Sequence, residues 1–150
     1  MAFKININDK DGKTYKLEIE SESLSGKELG EKVPGDEFLP DLKGYEFEIA
    51  GLSDKAGFTS FKEVEGIGLK KILLTYGKGM KKKGRKEGKK KISNKNPKGL
   101  RLRRTARGKV ISPAIAQINL KMLKEGEKKL KDIFPDQNKP REKKTEEKKE

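Results

Sequence analysis

The chain has 150 residues, of which 31% are hydrophobic and 41% charged, and its formal net charge at pH 7 is +14. That length allows one domain with a modest core and excludes two large ones, and so high a charged fraction leaves part of the chain too polar to pack. With neither cysteine nor histidine, disulfides, thiolate and imidazole catalysis, and metal sites built from sulfur or imidazole are excluded.

The first residues, Met1 to Ile7, alternate apolar and polar side chains and form no signal core, and no run approaches the ~20 apolar residues of a membrane span. A soluble, cytoplasmic chain is expected. Phe3-Lys4-Ile5-Asn6-Ile7 and Tyr15-Lys16-Leu17-Glu18-Ile19 share the period of two that marks strands with one buried face, and Asn8 to Gly12 between them is rich in turn formers. The pattern predicts a hairpin. Asp9, Asp11 and Gly12 lack the further oxygen ligands of a calcium loop, so turn chemistry accounts for them. Ser23 to Leu29 is expected to form a turn or two of helix, with Ser23 or Ser25 as cap and Gly30 as stop. Val33 to Asp36 reads as a turn, and Tyr45 to Ile49 as a third strand. Gly51 to Phe58 reads as a shaped loop in which Phe58 either plugs the core or stacks on a base, the loop context favouring the plug. Ile72-Leu73-Leu74 predicts a well-buried strand over Leu69 to Tyr76.

Charge then changes abruptly. Residues 1–77 carry 11 Lys and Arg against 15 Asp and Glu, residues 78–109 carry 16 against 1, and residues 110–150 carry 11 against 8. The middle segment supplies more than the whole net charge and repels itself unless a polyanion neutralises it. Its first half places Lys78, Lys81, Lys82, Lys83, Arg85, Lys86, Lys89, Lys90 and Lys91 among glycines, a composition suited to tracking an irregular phosphate path. Lys95 and Lys98 continue it. Its second half, with Arg101, Arg103, Arg104, Arg107 and Lys109, partly alternates and suggests a ribbon whose guanidiniums fork onto phosphates. Few aromatics and no recognition helix make folded RNA a better partner than single strands or a DNA major groove. Gly79 and Gly84 have the spacing of a nucleotide-binding loop, but Arg85-Lys86-Glu87 follows where a lysine and a hydroxyl residue are required.

Beyond Lys109-Val110-Ile111, the alternation of Ala116, Ile118, Leu120 and Met122 favours a strand over a helix entered at Ser112-Pro113. Glu125 to Glu127 closes that strand in a turn, Leu130, Ile133 and Phe134 are the last packing residues, and residues 136–150 are expected to form a disordered charged tail. The chain therefore reads as mainly β and antiparallel. One or two short helices and the basic excursion over 78–109 belong to a single body spanning 1–135.

Lys43 to Phe58, with its Asp54-Lys55-x-Gly57-Phe58 core, resembles the signature of small-subunit ribosomal protein six of the archaeal and eukaryotic type. A second match runs from Gly99-Leu100-Arg101 through Arg103-Arg104-Thr105-Ala106-Arg107-Gly108 to Ile118-Asn119-Leu120 and Lys124 to Lys128. The resemblance implies a barrel-like β body, non-enzymatic, held in the small subunit by ribosomal RNA and neighbouring ribosomal proteins, with no cofactor, metal, membrane or small-molecule substrate. It makes Asp54, Lys55, Gly57 and Phe58 a shaped loop in which Lys55 touches phosphate, unless Asp54 and Lys55 only hold the turn. Eukaryotic members continue into a basic helix ending in phosphorylated serines, whereas the tail here has Thr145 as its hydroxyl, so a short archaeal-type member is expected. The competing readings are a free RNA- or DNA-binding accessory protein, which the basic block alone would also suit, and an RNA-directed enzyme, which has little support.

Overall fold

The computed structural model describes residues 2–20, 23–81 and 99–138. The alternation at the N-terminus builds the expected hairpin: β1 (Ala2–Asn8) pairs antiparallel with β2 (Thr14–Glu20), matching Ile5 to Leu17 and Ile7 to Tyr15. Phe3, Ile5, Ile7 and Tyr15 are buried on the shared face. The amide of Asp9 donates to the Lys13 carbonyl at 2.8 Å, and Gly12 turns at φ 78°, so Asp9 and Gly12 do serve turn geometry.

β3 (Lys32–Pro34) and β4 (Glu46–Asp54) pair antiparallel, two 3-10 turns at Gly35–Glu37 and Pro40–Leu42 connect them, and β7 (Ile115–Lys124) completes a five-stranded sheet in the order β2-β1-β7-β4-β3. The pairing of β7 with β1 is parallel, Ile5 facing Ile118, whereas β4 and β7 run antiparallel, Ile49 facing Leu120. The body is thus a mixed, open sheet, and among the described residues β2 and β3 remain its two edges, which corrects the expected antiparallel barrel. Alternation specifies which face a strand buries but is blind to the direction of its neighbour, so β1 and β7 read identically either way.

One face of the sheet is apolar throughout. Val33, Phe47, Ile49, Leu52, Ile118, Leu120 and Met122 join the β1 and β2 side chains, and Leu24, Phe38, Leu42, Ile111 and Leu130 close over them. The opposite face is polar, with Asn6 donating to Asn119 at 3.1 Å and Gln117 donating to the same oxygen at 2.9 Å. The β4 strand is longer than expected. It runs on through Gly51, where its register against β7 shifts between Ile49 and Gly51, so Ile49 and Leu52 are both buried although three residues apart. A glycine inside a strand marks a bulge as readily as a loop, and here it is the bulge.

Ser23 to Leu29 forms turns and no helix. Gly26 donates to the Ile111 carbonyl at 3.0 Å, Ile111 donates to Lys27 at 2.8 Å, and Leu29 donates to Lys109 at 2.9 Å. Its backbone groups are thus committed to the segment leading into β7, which a helix would forbid. The short helix lies instead at α1 (Leu130–Ile133), where Leu130 is buried and the Tyr45 hydroxyl donates to the Lys128 carbonyl. Next to it, Gln137 clasps the backbone of Lys16, accepting from its amide at 2.6 Å and donating to its carbonyl at 2.7 Å, and Asn138 donates to Thr14 at 3.0 Å. The remainder of the tail, 139–150, lies outside the described residues.

The last two strands, β5 (Leu69–Thr75) and β6 (Arg101–Arg107), form a separate antiparallel ribbon with Leu69 facing Arg107 and Thr75 facing Arg101. The strand over 69–75 exists as expected, but its burial does not. Leu69 is 48% exposed and Leu73 58% exposed, while Ile72 and Leu74 are half-buried. An apolar run is fully buried only between two layers, and a two-stranded ribbon provides no second layer.

Candidate nucleic-acid interface

Because β5 and β6 are antiparallel partners, the basic block starts where β5 ends and returns along β6 to the root, and this hairpin is inserted in sequence between β4 and β7, which are neighbours in the sheet. The chain leaves β5 through a tight turn in which Gly77 and Met80 exchange backbone hydrogen bonds of 2.8 and 3.2 Å. Met80 is buried. Gly79 sits at φ 72°, and a side chain there would put its Cβ 2.9 Å from Phe61 Cζ, so this glycine is required by both conformation and space. Lys78 Nζ lies over the Phe61 ring, 5.2 Å from its centroid, and burial followed by the charge of Lys62 holds its amine below the usual lysine range. Lys81 is exposed. Lys82, Lys83, Arg85, Lys86, Lys89, Lys90, Lys91, Lys95 and Lys98 lie outside the described residues.

On β6 the arginines divide into two kinds. Arg101, Arg103 and Arg104 are exposed. Cross-strand partners share a face, so Arg101 and Arg103 stand opposite Thr75 and Leu73 on one side, and Arg104 stands opposite Ile72 on the other. Arg107 is different. Its side chain is 14% exposed, Nη2 donates to the Asp54 carboxylate, itself 7% exposed, and Nη1 donates to the Ile67 carbonyl at 3.0 Å. The hydrogen bond from Arg107 holds the Asp54 carboxyl below the ordinary carboxylate range, burial opposes that shift, and the Ala56 amide, 3.4 Å away, adds to it. Arg107 therefore bolts the ribbon root to the end of β4. Lys109 Nζ is 2.8 Å from Glu28, and that contact raises its pKa.

The Asp54–Phe58 loop closes on itself. Asp54 donates to the Phe58 carbonyl at 3.0 Å and Gly57 donates to Asp54 at 2.9 Å, with Gly57 at φ 85°, where glycine is favoured. Lys55 is exposed at its tip, and Phe58 is half-buried and does not join the core cluster, so it is not the expected core plug. The antiparallel bridges of Ser53 with Thr59, and the parallel one of Ser60 with Arg107, place this loop at the ribbon root.

Sequence reading missed Lys70 and Lys71, which lie on β5 ahead of the basic block; pairing β5 with β6 in register would have found them. Neither strand of the ribbon contains an acidic residue, so Lys70, Lys71, Arg101, Arg103 and Arg104 give it an undivided positive surface. Such an arrangement can bind an extended polyanion through forked and point-charge contacts.

The family model for ribosomal protein S6e matches residues 3–135, which includes the sheet and the ribbon. The small ribosomal subunit protein eS6 of Methanococcus maripaludis strain C5 is 37% identical over 127 residues, covering 84% of this chain and 90% of its own length. Its counterpart in Thermoplasma volcanium is 39% identical over 139 residues, covering 91% and 96%, and that of Methanocaldococcus jannaschii is 33% identical over 125 residues, covering 83% and 84%. With a family model spanning the sheet and ribbon, and archaeal relatives aligned over most of both chains, the chain belongs to the ribosomal protein S6e family, a family of ribosomal proteins and not of enzymes.

Proposed function

We propose that the protein is a structural constituent of the small ribosomal subunit in the cytoplasm, and that it binds ribosomal RNA through the far end of the β5–β6 hairpin and the basic block of residues 78–109. The observation that carries the reading is a block of 16 Lys and Arg against one Glu over residues 78–109, whose described part runs from the exit of β5 and back along β6 on a ribbon that Arg107 bolts to the sheet. Lys78, Lys81, Arg101, Arg103 and Arg104 line the approach, Lys82 to Lys98 fill the block, and Lys55 adds a cation at the root. Arg107 positions the ribbon through Asp54. Binding is by charge and shape, and neighbouring ribosomal proteins complete the surroundings.

If about half of the 16 cations meet phosphate, the log–log dependence of affinity on salt has a slope of roughly −6 to −7. Replacing Lys81, Lys82 and Lys83 together by Ala should flatten that slope by up to about three units in filter-binding assays with small-subunit RNA. An unchanged slope would place those lysines in solvent. Sedimentation in low-salt gradients tests residence in the subunit: failure to travel with small subunits would overturn it. Footprinting separates this reading from a free accessory protein, which would protect many RNAs weakly instead of one defined region.

A further inference from the structure

Phosphate recognition leaves two properties of the ribbon unused. Among the described residues the large apolar side chains that stand exposed are Ile67 at 55%, Leu69 at 48% and Leu73 at 58%, all within seven positions of one strand and its approach. Leu69 and Leu73 are four residues apart on the same face, about 13 Å, with Lys71 between them. In addition, the outer side of β5 makes no backbone hydrogen bond with any described residue. The outer side of β6 is partly covered, since Arg107 donates to Thr59 at 3.0 Å and accepts from Phe61 at 3.3 Å. An open strand edge carrying a row of aliphatic side chains is a template for another strand.

The occupant can be deduced from what each candidate would satisfy. RNA answers the cations but offers no strand to pair with the backbone and no aliphatic side chain to cover the leucines. A second copy of this chain answers the edge, but it brings the lysines of both copies into one strand pair in which neither β5 has an acidic residue to answer them, and like charges so placed repel. An extended segment of a different protein, combining acidic and aliphatic residues, answers all three demands. On the face of Leu69, Lys71 and Leu73 it would set one carboxylate between two aliphatic side chains, on the other face it would set a carboxylate opposite Lys70, and its backbone would continue the ribbon as a third strand. We propose that the open edge of β5 docks such an acidic, aliphatic strand from a neighbouring protein. The inference rests on residence in the ribosomal subunit, which sedimentation tests separately.

The test uses the full chain assembled into small subunits, with p-benzoylphenylalanine in place of Leu73. Irradiation is expected to join position 73 to a protein segment rich in Asp and Glu, and amide exchange at Leu69–Thr75 should be slower in the subunit than in the free protein. A cross-link to RNA alone, to a second copy, or to nothing, or amides of β5 that exchange equally in both states, would overturn the proposal. Leu69→Ser with Leu73→Ser, at exposed positions where the fold has little to lose, provides the second arm. With the photoreactive residue moved to Lys71, these substitutions should lower the protein cross-link about tenfold and change RNA affinity by less than about twofold. A matching tenfold loss of RNA affinity would make the face part of the RNA site and sink the idea.

Discussion

Asp54 and Arg107 sit 53 positions apart in sequence, and their contact decides how the ribbon leaves the sheet. Both are largely desolvated, and the Arg107 Nε has no partner among the described residues, so the pair tolerates little further loss. Asp54→Asn should destabilise the protein by about 2–3 kcal/mol in urea unfolding, at the low end for a broken desolvated pair because the exposed turn at Lys55 admits water. The pH dependence follows from the sign of the shift. The folded-state pKa of Asp54 is depressed, so its contribution is complete above the unfolded carboxyl pKa of about 4 and is lost as pH falls through the lower folded value. The Asn variant should show a shallower loss of stability at acid pH, checked by unfolding midpoints across that range. The sequence already marked Asp54 and Arg107 in two separate motifs, but as a loop former and a phosphate contact. Their pairing depends on strand register, which short motifs do not encode.

At the level of elements, period-two alternation was a dependable guide to β1, β2 and the buried half of β7, because each has one wet face and one dry one. It failed where that condition lapsed. The apolar run of β5 matched a buried strand, yet it lies in a two-stranded ribbon. The glycine at 51 was read as a loop start, although β4 continues through it as a bulge. The helical expectation at Ser23 to Leu29 gave way to backbone bonds with Lys109 and Ile111. These outcomes share a cause: each is settled by a neighbour far away in sequence. The turn at the ribbon exit offers a clean test of its geometry. Gly79→Ala forces both a left-handed backbone and a close approach to Phe61, and should cost about 1–2 kcal/mol. Faster amide exchange at Met80 would report the change, with the β1–β2 hairpin left unaffected.

Across the whole molecule, charge and structure are sorted together. Residues 1–77, which build four of the five strands of the sheet, carry more acid than base, and the excess of cations is gathered in residues 78–109. In the free protein those cations repel one another, and salt screens the repulsion over a Debye length of about 10 Å at 0.1 M. Raising salt should therefore stabilise the free protein against heat while weakening the proposed complex with RNA, two effects of opposite sign measurable in the same buffers by thermal unfolding and filter binding. A protein whose stability and affinity fall together with salt would contradict this division between body and ribbon.

The parallel pairing of β1 with β7 also orders events in time. Residues 4–8 find their inner partner at residues 117–121, so a chain emerging from its own synthesis holds β1 and β2 as a lone hairpin until β7, the last strand in chain order, appears. Lone hairpins are marginal in water, and pairings this distant in sequence form slowly. The basic ribbon is made before β7, so in the function proposed above RNA meets it while the sheet still lacks its central strand, and assembly would overlap with folding.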